Sequence, residues 1–136
     1  MVKISLVYEG DLHCKLTHGP SGTVINTDAP TDNMGKGACF SPTDLAASSL
    51  GSCMLTTRAI VAQRPALELK GMSAEVLKEM VTAPERRIGK IHVTIYMPKG
   101  LDAEKRAMLE RAAKHCPVHL NLNPTVEIPT TFVYPD

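Results

Sequence analysis

The chain has 136 residues, 15 basic against 14 acidic side chains, a net charge of +1, 43% hydrophobic residues and no Trp. That length suits a single domain, 1–136, since domains run to roughly 100–200 residues. The balanced charge excludes the basic footprint of a nucleic-acid binder and a polybasic membrane patch. No apolar run approaches the roughly 18 residues of a membrane span. The opening MVKISLVYEG lacks a signal peptide's apolar segment and cleavage site. The expected compartment is the cytoplasm, where the four cysteines stand as thiols and any disulfide is transient and catalytic.

Val2, Ile4, Leu6 and Tyr8 alternate with Lys3, Ser5 and Val7, a period-two pattern that predicts a strand. Leu12, Cys14 and Leu16 predict one face of a second strand, with EGD as the turn between. GPSG marks another turn before a third short strand around Thr23 to Asn26. The stretch from Asp28 to Phe40, rich in Pro, Gly and Asp, reads as a long loop, and loops of that length are often functional.

Ser41 then opens a helix. Ser at N-cap, Pro42 at N1 and Asp44 at N3 form a strong start signal, and Asp44 is placed to reach back to the N-cap amide. The helix is expected to run to about Gln63, where Pro65 stops it. Met72, Ala74 and Val76 alternate, as do Ile91, Val93, Ile95 and Met97, giving two further strands. Asp102 caps a second helix with Met108, Leu109 and Ala112 on its buried side. A turn of helix can restart at Pro117. Val126 to Tyr134 reads as a last strand, which Pro129 confines to an edge or a bulge. The order βββ-α-ββ-α-β is an α+β pattern.

The thiols differ in context. Cys53 lies inside a helix stripped of bulk, among Ser48, Ser49, Gly51 and Ser52; small residues there let other backbone approach closely, so the helix is expected to be buried, with a partner subunit as the candidate cover. Free Cys is also a common core filler. Cys116 precedes Pro117 at a helix junction, where helix-start amides favour a thiolate. His115 and His119 flank it and could add charge; the plain alternative is a helix-breaking corner with solvated histidines. Cys14 reads as core, and Cys39, in the loop, has no assigned role. Structural zinc sites usually draw paired ligands from two short motifs. Here the cysteines are scattered singly, and no second cluster completes His115, Cys116 and His119, so neither metal nor cofactor is expected.

Together, SPTDLAASSLGSCM and the later HCPV resemble the OsmC/Ohr family, the osmotically inducible and organic hydroperoxide resistance proteins. ERRIGKIHVTIYMPKGLDAEKRAMLERAAKHCPV is similar to that family's second half. The resemblance implies antiparallel sheets around a buried Cys-bearing central helix, in an intertwined homodimer with active sites at the subunit interface. It implies a thiol-dependent peroxidase of organic hydroperoxides, and secondarily of hydrogen peroxide, in oxidative stress defence. Cys53 would be the peroxidatic thiol and Cys116 the resolving thiol. A dithiol, in this family sometimes a lipoylated protein, would be the reductant.

The chain departs from the family in two places. Well-characterised members carry a Glu directly after the helix-opening Pro, where this chain has Thr43. Asp44 lies nine residues before Cys53, and at about 100° per residue that is the opposite helix face. Those members also hold the thiolate with an Arg on the early strands, and this chain has no Arg before Arg58. Arg86, Arg87 and His119 are the candidate replacements, with Lys15, His13 and Lys36 as further sources of charge that match no motif; an arginine pair at the start of a strand is more often simply solvated. The alternatives on the same fold are a binding protein for a small apolar ligand and a thiol redox sensor.

Overall fold

A computed structural model describes all residues, Met1–Asp136. The chain divides into two compact units, Met1–Ala46 and Ala47–Asp136. The element order is α+β, as the alternation patterns predict.

In the first unit, β1 (Ile4–Gly10), β2 (His13–His18) and β3 (Val24–Asp28) form an antiparallel meander in that order. Cys14 stands opposite Tyr8 on one side and Thr27 on the other. Leu12 falls outside β2, contrary to expectation. It sits in the hairpin turn at φ +59°, after Gly10 at +86° and Asp11 at +51°, and is exposed. Ile4, Leu6, Tyr8 and Ile25 are also exposed, an unusual amount of apolar surface for one small sheet.

The loop after β3 contains a 3-10 turn, Thr31–Asn33, and folds back tightly. Asp28 N–H donates to Phe40 O at 3.1 Å and Gly35 N–H to Pro30 O at 2.9 Å. A Cβ on Gly35 would lie 1.6 Å from Ala29 O, so no other residue fits that turn.

Helix α1 (Pro42–Ala62) begins as the capping signal predicts. Ser41 N–H donates to Asp44 Oδ2 at 2.9 Å, and Asp44 N–H donates to Ser41 Oγ at 3.1 Å. One expectation fails here. At 21 residues and a mean hydropathy of 1.3, α1 is long and apolar enough by length and composition to cross a membrane. Its Ala, Ser and Gly residues disguise this in the sequence. The core helix of a soluble protein passes the same test, and Leu50 and Met54 are almost wholly buried within the second unit.

That unit holds β4 (Ser73–Val81), β5 (Arg87–Tyr96) and β6 (Thr130–Val133), in the order β4-β5-β6. The hairpin β4–β5 is antiparallel, but β6 lies parallel to β5, with Val93 opposite Thr130. The sheet is therefore mixed rather than antiparallel. The reason is the crossover through α2 (Ala103–Lys114) and α3 (Pro117–Asn121), which returns the chain to the end of the sheet where it began. Pro129 costs nothing, because only its carbonyl is used, accepting from Val93 N–H at 2.9 Å next to an edge strand.

The core of this unit gathers Leu50 and Met54 of α1, Ile91, Val93 and Ile95 of β5, Leu109 and Ala113 of α2, and Cys116. Gly51 is the contact point of α1 with its own sheet. A Cβ there would lie 3.1 Å from Val76 Cγ1, so the small residue lets β4 approach. The small-residue stripe thus has at least one partner inside the chain.

Candidate active site

Cys53 and Cys116 meet. The chain carries them on α1 and at the start of α3, and the core closes between them, leaving their thiols in hydrogen-bond contact. Cys53 is half-buried, with Sγ 3.9 Å from Thr57 Oγ1 one turn along the helix. Cys116 is fully buried.

The environment of Cys116 follows from its place in the chain. Pro117 starts α3, and Cys116 becomes its N-cap, with Sγ accepting the His119 N–H at 3.3 Å. That amide and the Val118 amide favour the thiolate, as expected for a helix start. Burial opposes them and is the larger effect, and the hydrogen bond with Cys53 adds to it, so the Cys116 thiol is pushed up rather than down. The expected lowering at Cys116 is therefore overturned by desolvation. His119 acts through its backbone amide; His115 is exposed.

Of the two arginines singled out in the sequence, Arg86 is exposed and Arg87 is half-buried at the start of β5, where its Nη1 is buried without a hydrogen-bond partner. Neither is among the main influences on Cys116.

The cation that the sequence reading passed over is Arg58. It sits on α1 five residues after Cys53 and is fully buried. Its Nη1 donates to Met54 O at 3.0 Å, and its guanidinium lies 4.8 Å from the Phe132 ring centroid. Its Nε and Nη2 have no hydrogen-bond partner. Burial pulls its proton affinity down to about 10, while Tyr134, Cys116 and Glu110 pull the other way. At neutral pH it remains a cation. Tyr134 hydrogen-bonds Glu110 Oε1 at 2.5 Å, and burial together with that carboxylate pushes the phenol up to about 12. The signal was present in the sequence: Arg58 is the one charged residue between Asp44 and Arg64, in the otherwise uncharged part of the helix after its first turn. Arginine inside such a stretch is rarely buried without a reason.

Asp44 is accounted for by the helix cap. Cys14 and Cys39 are half-buried in the first unit.

The second unit thus brings two thiols together, with a buried guanidinium whose charge is felt at Cys116. The family described as OsmC-like protein matches residues 35–131. The chain belongs to that family. A solved structure from Psychrobacter arcticus, described as an osmotic stress induced and detoxification response protein, is 38% identical with a TM-score of 0.92, covering 98% of this chain and 96% of that one. An organic hydroperoxide resistance protein from Legionella pneumophila shares the fold at 19% identity and a TM-score of 0.71, with 97% and 96% of the two chains covered. Another, from Elizabethkingia anophelis, does so at 14% identity and a TM-score of 0.74, with 98% and 96% covered. No curated protein matches the chain.

Proposed function

We propose that this protein is a thiol-dependent peroxidase that reduces organic hydroperoxides, and hydrogen peroxide less well, through Cys53 and Cys116. The observation that carries this reading is the contact between the two thiols with Arg58 buried beside them. Family membership and the hydroperoxide resistance of fold relatives support it.

The steps balance with the residues in place. The Cys53 thiolate attacks one peroxide oxygen; the O–O bond breaks, the leaving alkoxide takes a proton as alcohol, and Cys53 becomes a sulfenic acid. Cys116 attacks that sulfur, water leaves, and a disulfide forms. An external dithiol, such as a lipoyl group, then reduces the disulfide by exchange and is itself oxidised. Arg58 supplies the positive charge that an activated thiol needs. It takes over the role of the cation that the early strands of this chain do not supply, and Cys116, held as a thiol, donates its hydrogen bond to the Cys53 thiolate.

This reading carries with it a homodimer, supported by the exposed Ile4, Leu6, Tyr8 and Ile25 of the first sheet. It also places the protein in the cytoplasm, where dithiol reductants act, in stress defence.

The test is to mix reduced protein with one equivalent of cumene hydroperoxide and map the thiols by mass spectrometry. The expected result is rapid loss of two thiols as a Cys53–Cys116 bond, abolished in Cys53→Ser. Thiols that stay reduced would remove the peroxidase reading and leave a ligand-binding protein; rapid oxidation that no dithiol reverses would leave a redox sensor.

A further inference from the structure

The first unit contains a second cluster of reactive side chains that the thiol chemistry does not use. His13 of β2, Asp28 at the end of β3 and Cys39 in the loop before α1 converge. One ligand atom from each lies within 4.8 Å of the others. His13 Nδ1 and Asp28 Oδ1 are 2.5 Å apart. Cys39 hydrogen-bonds the Asp28 carboxylate, and burial and that negative charge push its thiol up. Asp28 itself is buried.

The surroundings hold these groups in place. His13 Nε2 faces Asn26 Oδ1 at 3.3 Å and Glu9 Oε1 at 3.7 Å. Asp28 Oδ2 accepts the Ala38 N–H at 2.9 Å. Outer partners of this kind, an acceptor on the far ring nitrogen and a donor on the far carboxylate oxygen, orient and tune metal ligands. Three donors contributed by three separate segments also go beyond what a simple ion pair requires.

We propose that His13, Asp28 and Cys39 form a three-ligand site for a divalent cation of the zinc class. One imidazole, one carboxylate and one thiolate suit Zn2+, whereas Ca2+ and Mg2+ want several oxygens. In a tetrahedral site with metal–ligand bonds of about 2.0–2.3 Å, ligand atoms stand about 3.3–3.7 Å apart. The His13–Asp28 contact must therefore open by about 1 Å from its present 2.5 Å. On binding, the ion replaces the proton on His13 Nδ1 and the thiol proton of Cys39; both protons go to solvent. The ion's two positive charges are matched by Asp28 and the Cys39 thiolate, so the buried site is neutral. Beside it lies a cleft of about 270 Å3 lined by Glu9, Asp11, His13, Asp28 and Lys36, open to a water as fourth ligand.

The probe is Co2+ added to reduced, chelator-treated protein, followed by Zn2+ competition. The expected result is one equivalent bound, with a thiolate-to-cobalt absorption band in the near ultraviolet that Zn2+ removes. Cys39→Ser should abolish the band, and His13→Ala should weaken binding at least tenfold. The Cys53→Ser/Cys116→Ser double variant, with or without Cys14→Ser, should keep both band and affinity. Circular dichroism of each variant guards against misfolding, and the double variant tests the site without touching it. No band in the double variant overturns the proposal, as does a band that survives Cys39→Ser. Failure of the peroxidase reading would leave these outcomes unchanged.

Discussion

The two units bury charge in opposite ways. In the first, the Asp28 carboxylate is buried with its demands met, by the His13 ring, the Ala38 amide and the Cys39 thiol. In the second, the Arg58 guanidinium is buried with two of its nitrogens unpartnered, and its charge reaches the Cys116 thiol, which burial pushes up. A satisfied buried charge ties segments together. An unsatisfied one costs stability and is retained where its field serves something else. On the proposed reading, the contrast separates chemistry in the second unit from binding or bracing in the first.

The largest effect should come from the pair itself. In Cys116→Ser, one equivalent of hydroperoxide should still oxidise Cys53, but the product should remain a sulfenic acid that dimedone captures, and dithiol-driven turnover should be lost. Undiminished turnover would show that Cys116 does not resolve the intermediate. Next comes Arg58→Met, which separates field from packing. An activated thiol draws on a nearby cation, so the rate with peroxide at neutral pH should fall about tenfold or more. Stability should hold or rise, since replacing buried ionic groups with apolar ones is often neutral or worth about 1–4 kcal/mol. A variant that is markedly less stable yet reacts normally would make Arg58 a structural residue.

Most of this architecture was legible because local signals and tertiary packing agree. The capping pattern from Ser41 to Asp44, the alternation of Ile91, Val93 and Ile95, and the Asp102 cap, which accepts from Lys105 N–H at 2.9 Å, all read directly. The parallel β6 did not read, because strand direction depends on where α2 and α3 return the chain, and no residue within Thr130–Val133 encodes that. Leu12 misled because its polarity fits a strand while its backbone serves the turn. At the site, the cysteines were legible from their paired contexts. Arg58 does not stand out in the sequence as Arg86 and Arg87 do at a strand start; its informative feature is a lone charge in an apolar stretch. The convergence of His13, Asp28 and Cys39 is invisible in one dimension: the three lie on different segments, and no spacing rule joins them.

The first unit offers a smaller but sharper check. Asp28→Asn, in chelator-treated protein, removes the charge on which His13 and the loop rely. The expected cost is about 1–3 kcal/mol, the range for a charged hydrogen bond broken in a buried place. It should appear as faster hydrogen exchange in β1–β3 and the following loop, with the peroxide reaction unchanged. Slowed peroxide reduction without that local loosening would mean that the two kinds of buried charge are not separate in function.

The smallest effect belongs to Asp44, and it tests a distinction rather than a magnitude. Asp44 is one residue beyond Thr43, the position where the resemblance leads one to expect a Glu, and its Oδ2 is engaged by the Ser41 amide. Asp44→Ala loses that bond and a negative charge at the positive end of α1, worth about 1 kcal/mol together. A drop in melting temperature of about 2–8 °C should follow. If the carboxylate only caps the helix, the rate constant for Cys53 oxidation measured well below that melting point should match the parent protein. A fall in that rate at full folding would move Asp44 from the helix cap into the site, and Arg58 would then act with a carboxylate partner rather than alone.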